Sequence, residues 1–284
     1  MFGDSLGVKK LHRDVGKVIE ELMEWFRGVE KPIVVALSGG IDSSVVLITA
    51  CKALGRENVI AVTAVSPIRL EEDLEWAKEI SSLLGVEHVI VETSELNDSD
   101  FVANPPNRCY ICKKYLAEKL VEVARKFNAK TIVDGTNASD AVSYRPGIKA
   151  LKEVGIRSPL AELGVSKEEV KSIAKAVNLP NWDRPSATCL ATRIPYGEPI
   201  TLDKLRRIAK AEEIIKRLLG VKVVRVRDHG YIARIEVGAS ERRKFFSEEI
   251  MDLVAMELKK LGYKYVALDL LGYKSGSLDE LIKP

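Results

Sequence analysis

The sequence predicts an α/β protein: a doubly wound parallel sheet followed by a smaller C-terminal α+β domain. Short, continuous apolar runs such as I-V-V-A-L, beginning at residue 33, are typical of strands that are buried on both faces. Amphipathic stretches separate these runs, and a crossover helix between neighbouring strands makes the strands parallel. Near residue 195 the pattern changes, which predicts two domains, residues 1–195 and 196–284.

The first domain begins with helical periodicity between residues 11 and 29, where the apolar side chains fall on one face. Alternating strands and helices follow. Strands are predicted at 32–37, 59–65, 88–92 and 130–134, and helices at 42–54, 69–84, 112–127 and 166–177. This order is that of repeated strand–helix–strand units, which build an open parallel sheet with helices on both faces.

The second domain begins with a predicted helix over 201–220, with Thr201 as its N-cap and Gly220 just past its end. Two strand-like stretches follow, V-K-V-V-R-V-R and Y-I-A-R-I-E-V, separated by D-H-G. A helix at about 241–261 and the strand Y-V-A-L-D-L complete a compact α+β unit.

Composition narrows the classes of function. The net charge of +3 over 284 residues argues against nucleic-acid binding through bulk charge. No segment approaches the roughly 18 apolar residues of a membrane span, and the N-terminus lacks the apolar core of a signal peptide, so a cytoplasmic protein is expected. Glutamine is absent and 30% of the residues are charged, a bias that suggests a thermophile.

A glycine-rich segment, Ser38-Gly39-Gly40-Ile41-Asp42-Ser43-Ser44, lies between a predicted strand and a predicted helix. Glycines let the backbone approach a ligand closely, and the N–H groups of a helix start attract anions. The three serine hydroxyls add donors for phosphate oxygens. Asp42 would repel a bare phosphate, so amide contacts or a hydrated magnesium ion are its expected partners. An ordinary capped strand–helix turn is the alternative.

A polar segment, D-G-T-N-A-S-D from 134 to 140, follows the last predicted strand of the sheet, at the edge where such folds bind ligands. Asp134, Asn137 and Asp140 are candidate ligands of magnesium or substrate. A plain turn rich in Asp and Asn is the alternative. Arg145, in Y-R-P-G, is a candidate phosphate contact or a surface residue.

Four cysteines are too few for a disulfide scaffold in a chain of this length. Cys51 has apolar neighbours at helical spacing and is interpreted as a core residue. Cys109 and Cys112 form a C-x-x-C just before a predicted helix, and Cys189 follows much later. These three can be a redox pair with a bystander, an incomplete zinc site, or ligands of a [4Fe–4S] cluster whose open iron carries sulfide. Spacing alone leaves all three open.

Two arginines, Arg225 and Arg227, alternate along a predicted strand and therefore share one face. Adjacent guanidinium groups suit a phosphate or a carboxylate, and a solvated strand face is the alternative. Glu212 and Glu213 are interpreted as a solvated face of the preceding helix.

The glycine-rich loop resembles the S-G-G-x-D-S signature of the PP-loop ATP pyrophosphatases, which cleave ATP between its α and β phosphates. Six further motifs continue in one order along the chain: N-R-C-Y-x-C-K, D-G-T-N-A-S-D, Y-R-P-G, S-P-L, C-L-A-T-R-I-P-Y-G and R-V-R-D-H-G. The C-terminal L-D-L-x-G-Y-x-S-G-S-L-D-E completes them. Together they resemble the ATP-dependent sulfur transferases of nickel-pincer nucleotide biosynthesis, the LarE family.

This resemblance implies an enzyme that uses ATP and Mg²⁺ to adenylate a carboxylate of pyridinium-3,5-biscarboxylic acid mononucleotide. Sulfur then displaces AMP and leaves a thiocarboxylate. The resemblance implies that Thr63 and Gly135 join the loop in binding ATP, and that Arg225 and Arg227 bind the phosphate or the carboxylates of the substrate. Arg193, four residues after Cys189, is a further candidate, which would neutralise the anionic substrate or the cluster. It also implies a homo-oligomer, with the arginine pair of one subunit reaching the site of another.

The resemblance bears on the cysteines as well. Some members sacrifice the sulfur of a cysteine at the position of Cys189, and others carry the additional C-x-x-C and use a cluster as sulfur carrier. Because Cys109 and Cys112 are present, the sequence matches the second kind, with Cys189 as the third ligand and Asp42 as a further catalytic residue.

Three other functions remain open at this point. A PP-loop tRNA thiolase would show a stronger basic surface, and an ammonia-using ligase related to NAD or GMP synthetases would need no cysteines. A non-catalytic nucleotide or iron–sulfur sensor would bind ATP without turnover. The sequence does not indicate which compound donates the sulfur.

Overall fold

A computed structural model of the chain describes residues 13–141, 146–185, 188–274 and 276. Two predictions lie outside these residues. One is the phosphate contact of Arg145, and the other is the end of the last motif, from residue 277 onward.

The first part of the chain alternates helices and strands as predicted. In chain order its elements are α1 (Val15–Arg27), β1 (Ile33–Ala36), α2 (Ile41–Leu54), β2 (Val59–Val65), α3 (Glu71–Leu84), β3 (Glu87–Glu92), α4 (Ser99–Val102), α5 (Arg108–Lys126), β4 (Thr131–Val133), α6 (Ala138–Ala141), α7 (Pro146–Glu153), α8 (Pro159–Glu162) and α9 (Lys167–Ala176). The four strands lie in the order β3-β2-β1-β4 and all pair in parallel. The predicted α/β fold class is confirmed.

Over its described residues, the second part contains two α-helices and three strands. They are α10 (Leu202–Leu219), β5 (Val224–His229), β6 (Ile232–Val237), α11 (Glu248–Lys260) and β7 (Tyr265–Leu268). The strands follow chain order, with β5 and β6 antiparallel and β6 and β7 parallel. The hairpin turns at Gly230, whose φ of 70° lies in the left-handed region that favours glycine.

Local sequence explains where several helices begin and end. On α1, the buried residues Val18, Leu22 and Phe26 recur at helical spacing. The hydroxyl of Thr201 accepts a hydrogen bond from the Lys204 N–H at the start of α10, and Gly220 ends that helix with a φ of 58°. Both caps of α10 were predicted from the sequence.

The apolar cores lie between the sheets and the helices that pack against them. Two clusters cover the two faces of the four-stranded sheet: one packs α1, α2 and α9 against it, and the other packs α5. A third lies within the second part of the chain, between its sheet and helices. A fourth joins residues from both sides of position 195, including Phe101 and Ile208. The predicted division at 195 stays a prediction.

The helix predicted at 112–127 begins earlier, at Arg108, directly after Asn107 and the two prolines before it. Cys109 and Cys112 therefore lie inside the first turns of α5, and the expectation that they precede the helix was wrong. Proline fixes its own φ and disfavours a helical residue before it, so the prolines rather than the cysteines set the helix start. Among the described residues, no helix is long and apolar enough to cross a membrane.

Candidate active site

The glycine-rich loop connects β1 to α2 at the carboxyl edge of the parallel sheet, with Gly40 at the N-cap of α2. The N–H of Ser38 donates to the Ser43 hydroxyl over 3.1 Å, and the Ser38 and Ser43 hydroxyl oxygens are also 3.1 Å apart. The Ser44 hydroxyl donates to the Gly40 carbonyl over 2.9 Å and is fully buried. The loop is thus shaped by its own hydroxyls at a helix start that favours anions.

Two glycines allow neighbouring backbones to approach this loop. Gly39 has a φ of 73°, and a Cβ there would lie 2.1 Å from the carbonyl oxygen of Asp73. A Cβ on Gly135 would lie 2.7 Å from the backbone nitrogen of Ser43. The segment after β4 therefore contacts the start of α2 directly, as the positions of Gly39 and Gly135 in the predicted ATP site require.

The carboxylate of Asp42 has two partners from distant segments. Asn137 donates from its side-chain amide to Oδ1 over 3.0 Å, and the Lys167 ammonium contacts Oδ2. The amide contact is one of the two partners that the sequence predicted. The cation was missed, because nothing near Lys167 in sequence marks it as part of the site.

Asn181 and Arg184 brace the loop from the segment after α9. Asn181 donates to the Gly39 carbonyl over 3.1 Å and Arg184 does so over 3.0 Å. The other arm of Arg184 pairs with Asp73 over 2.7 Å. Both side chains are buried, and neither was predicted, since a single Asn and a single Arg carry no motif.

Asp134 is buried and hydrogen-bonded at both oxygens. The hydroxyl of Ser158 donates to Oδ1 over 2.6 Å, and the hydroxyl of Thr136 donates to Oδ2 over 2.6 Å. The backbone N–H of Thr136 donates to Asp134 Oδ1 over 3.2 Å, which is an Asx turn, and the N–H of Asp140 donates to Asn137 Oδ1 over 3.0 Å. These hydrogen bonds are those expected of a turn rich in Asp and Asn, which was the alternative to a ligand site. Magnesium binding by Asp134 and Asp140 stays a prediction.

Thr63 lies on β2, one strand from the loop. Its hydroxyl donates to the Leu37 carbonyl over 2.8 Å and lies 2.8 Å from Nε2 of His88. Ser81 holds the other ring nitrogen at 2.9 Å, and burial lowers the pKa of His88 below its ordinary value. These bonds fix the strand beside the loop, and ATP binding at Thr63 stays a prediction.

Cys112 and Cys189 pack against the same apolar cluster, although 77 positions separate them in the sequence. Burial raises the pKa of the Cys112 thiol to about 12, and the nearby charge of Arg69 is the largest influence that opposes this rise. The thiol donates to Glu95 Oε1 over 3.5 Å. Cys51 is half-buried against the main core, as predicted, and burial raises its pKa to about 12 as well.

Three thiols with no histidine nearby suit iron–sulfur chemistry by the nature of the donors. Their placement in this structure does not complete such a site, because no three His, Cys, Asp or Glu side chains in the described ranges are grouped to hold a metal ion. The three thiols are therefore suitable donors for a cluster, but their positions in this structure do not form a binding site for one.

Comparison with known proteins identifies the family. A family model described as NAD synthase matches residues 14–105, which include the loop. Pyridinium-3,5-bisthiocarboxylic acid mononucleotide synthase of Lactiplantibacillus plantarum is 36% identical over 250 residues, covering 88% of this chain and 90% of that protein. The uncharacterized protein slr1717 of Synechocystis sp. is 41% identical over 264 residues, covering 93% of this chain and 97% of its own.

The chain belongs to the LarE family of PP-loop ATP pyrophosphatases. The resemblance drawn from the motifs is confirmed, and the family is one of ATP-dependent sulfur-transferring enzymes that use Mg²⁺. More distant similarity reaches a glutamine-hydrolyzing GMP synthase chain of Archaeoglobus fulgidus, 27% identical over 227 residues and 72% of each chain. The match to the Lactiplantibacillus plantarum protein is both longer and closer than the match to this GMP synthase chain.

Within this LarE-family chain, Arg193 is fully buried. Its guanidinium forms a two-pronged ion pair with Glu212, at 2.8 Å and 2.9 Å, and also donates to the Cys189 carbonyl over 3.0 Å. Glu212 in turn accepts from the backbone N–H of Val226 over 3.0 Å. The interpretation of Glu212 as a solvated residue was wrong, whereas Glu213, with 58% of its side chain exposed, is solvated as predicted.

Arg225 and Arg227 are buried as well, at 5% and 4% exposure, so the solvated strand face is excluded. Arg227 pairs with Glu236 over 2.6 Å and donates to the Thr192 carbonyl over 2.8 Å. Arg225 lies over the ring of Tyr273, 5.1 Å from its centroid. Arg193 and Arg227 thus hold the backbone between Cys189 and Thr192. Contact of the three arginines with substrate stays a prediction.

Proposed function

We propose that the protein is an ATP-dependent sulfur transferase that adenylates a carboxylate of pyridinium-3,5-biscarboxylic acid mononucleotide and converts it to a thiocarboxylate. The observation that carries this proposal is the position of Arg184, which donates to the Gly39 carbonyl of the glycine-rich loop over 3.0 Å and stands five positions before Cys189 in the sequence. Sulfur transfer to an adenylate needs the thiol end close to the phosphate end, and this short stretch of chain supports that proximity.

The chemistry follows from the charge of the substrate. A carboxylate is a poor electrophile, so its oxygen first attacks the α phosphorus of ATP and pyrophosphate leaves. The N–H groups at the start of α2 and the Lys167 ammonium would stabilise the charge that develops on the phosphates. A sulfur nucleophile then bonds to the acyl carbon, the bond to AMP breaks, and AMP departs with both electrons.

The ATP site in this proposal contains Ser38, Gly39, Gly40, Ser43, Ser44, Thr63 and Gly135, and the magnesium ligands are Asp42, Asp134 and Asp140. Binding of Mg²⁺ at Asp42 would release Lys167 toward the phosphates, because a hard cation and an ammonium compete for the same oxygen. Arg193, Arg225 and Arg227 would bind the substrate or hold the segment that does.

Cys109, Cys112 and Cys189 are the proposed sulfur-transfer residues. We propose that they hold a [4Fe–4S] cluster, which when bound would supply the sulfur that is transferred. The alternative within the same function is that Cys189 gives up its own sulfur. The homo-oligomeric state, the cytoplasmic location, the thermophilic source and the sulfur donor stay predictions or open questions.

The deciding experiment measures iron and acid-labile sulfide per chain on protein purified without oxygen. Cys109, Cys112 and Cys189 are each changed to Ala, with Cys51→Ala as the control. About four irons per chain, lost in the three variants but kept in the control, is the expected result. Without iron, turnover with ATP and substrate should lower the protein mass by one hydrogen sulfide. No iron and no loss of mass would contradict sulfur transfer.

Pyrophosphate release distinguishes the other functions. An ammonia-using ligase, favoured by the similarity to GMP synthases, would still adenylate its substrate and form product after all three cysteines are changed to Ala. A tRNA thiolase would shift tRNA in a gel, and a sensor would bind ATP without releasing pyrophosphate. The sulfur transferase is expected to release pyrophosphate with the pyridinium dicarboxylate and to form no thiocarboxylate without the cysteines.

A further inference from the structure

Arg69 lies in the turn that follows β2, beside the cysteine-bearing segments. Its backbone N–H donates to the Ser66 carbonyl over 3.0 Å, and the preceding residue, Ile68, accepts from the Leu190 N–H over 2.8 Å. The turn is therefore tied to the residue directly after Cys189. Arg69 belongs to none of the sequence motifs described above.

The guanidinium of Arg69 has one buried donor that the described residues leave unsatisfied. Its Nε is buried, and no hydrogen-bond partner for it exists in the part of the chain that the structure describes. Arg69 also forms no ion pair within that part. A buried donor without a partner destabilises a fold, so such groups are retained mainly where a ligand completes them.

A second cation lies close to the first. Lys113 directly follows Cys112 on α5, and Cys112 packs against the apolar cluster that contains Ile68, the residue before Arg69. Lys113 also forms no ion pair in the described ranges, and its side chain packs against Gly147, where a Cβ would lie 2.8 Å from the Lys113 Cγ. Two unpaired cations held near each other repel unless an anion lies between them.

The nearby acids do not fill this role. Glu95 is buried, and its Oε1 accepts hydrogen bonds from Thr93 over 3.0 Å and from the Cys112 thiol over 3.5 Å, while its Oε2 has no hydrogen-bond partner among the described residues. Asp134 is occupied by the hydroxyls of Ser158 and Thr136. Neither acid lies within ion-pair distance of Arg69 or Lys113, so the cations remain available to an external anion.

We propose that Arg69, together with Lys113, binds the substrate carboxylate that is to be thiolated and holds it beside Cys112. The proposal rests on the proposed function and names its substrate-binding group. A guanidinium presents donors in a fork that matches a carboxylate. When sulfur attacks the acyl carbon, the same donors would stabilise the oxyanion that forms.

The test measures binding in the absence of ATP by calorimetry, so that it does not depend on turnover. The probes are pyridine-3,5-dicarboxylate and ribose 5-phosphate, which separate the carboxylate end of the substrate from its phosphate end. The variants are Arg69→Met and Arg69→Lys, with Arg206→Met, an exposed arginine on α10, as the matched control. Binding of ATP and the melting temperature are recorded for each.

We expect Arg69→Met to weaken dicarboxylate binding at least tenfold, with Arg69→Lys intermediate and Arg206→Met unchanged. Binding of ATP and of ribose 5-phosphate should change less than twofold, and the melting temperature should not fall, because the Nε of Arg69 has no partner to lose. In turnover, KM for the dicarboxylate mononucleotide should rise while KM for ATP stays constant.

Equal weakening of both probes, or unchanged dicarboxylate binding in Arg69→Met, would overturn the proposal. If the wild-type protein converts the mononucleotide and Arg69→Met has the same KM, the Arg69 assignment alone fails. If the wild-type protein neither binds the dicarboxylate nor converts the mononucleotide, the proposed function fails and this inference fails with it.

Discussion

The ammonium of Lys167 contacts the carboxylate of Asp42, which lies 125 positions earlier in the chain. Asp42 stands in the first turn of α2, where phosphates would bind, and Lys167 is the first residue of α9. A carboxylate in a phosphate loop repels its ligand unless a cation neutralises it. In the proposed ATP site, this pair removes the repulsion that the Asp42 carboxylate would otherwise exert on a phosphate.

Replacing Lys167 with Met should reduce kcat/KM for pyrophosphate release by about 10- to 100-fold, since a charged hydrogen bond contributes about 1.5–3 kcal/mol. Steady-state kinetics with ATP and the dicarboxylate substrate measure this. Lys171→Met, exposed one turn further along the same helix, is the control and should retain activity. Equal activities of the two variants would show that Lys167 has no role in ATP use.

Gly39→Ala should destabilise the fold by more than Gly164→Ala does. Both glycines have a positive φ, 73° and 67°, so both substitutions carry a backbone penalty of about 1–2 kcal/mol. Only at Gly39 does the new Cβ meet backbone, at 2.1 Å from the Asp73 carbonyl oxygen, which adds about 1–3 kcal/mol. Urea unfolding measures both, and ATP affinity should fall only in Gly39→Ala. If the two variants lose similar amounts of stability, α3 shifts away from the new Cβ at Gly39 at no cost in free energy.

Glu169 should make the protein sensitive to acid. Its hydrogen bond and ion pair with Arg13, over 2.8 Å, lower its pKa to about 2 from the ordinary 4.5. A depressed folded-state pKa adds stability that is present above the unfolded value and is lost as pH falls from about 4.5 to about 2. Arg13 is one-third exposed, so solvent weakens the pair.

Glu169→Gln keeps an acceptor for the cap of α9 but removes the titration, so its unfolding free energy should vary less with pH below about 4.5. Chemical unfolding at a series of pH values measures this slope. Glu168→Gln, exposed on the same turn, should keep the wild-type slope. If the unfolding free energy of Glu169→Gln varies with pH as the wild type does, groups other than Glu169 cause the acid sensitivity.

Glu212→Gln should destabilise the protein by about 3–5 kcal/mol, because it leaves the Arg193 charge buried without its counter-ion. Glu213→Gln, on the neighbouring exposed position, should change stability by less than about 0.5 kcal/mol. Since Arg193 also holds the Cys189 carbonyl, the Cys189 thiol in Glu212→Gln should react faster with a thiol reagent, which mass spectrometry of labelled peptides can follow. Equal stability of the two variants would argue against a structural role for the pair.

Much of the fold and part of the site could be predicted from the sequence. The apolar runs at β1 and β2 indicated buried parallel strands, and Thr201 and Gly220 marked the two ends of α10. The glycine-rich loop was recognisable because its function depends on consecutive residues. These features are local, so a single stretch of sequence contains the information that specifies them.

Partners from distant segments could not be predicted in this way. Lys167, Asn181 and Arg184 reach the loop only because α9 and the segment after it pack beside α2. Glu212 and Arg193 are likewise buried because α10 packs against β5. No residue pattern in α10 predicts that packing.

The sequence by itself determined the order of strands and helices, the phosphate loop and the family, because backbone preference and consecutive motifs are local properties. Only the tertiary structure decided which charges are buried and paired. Asp42 is neutralised by Lys167, Arg193 is enclosed with Glu212, and within the described residues the buried Nε of Arg69 has no hydrogen-bond partner. Burial and pairing depend on which segments meet in space, and the energy of a charge depends on that environment far more than on its neighbours in sequence.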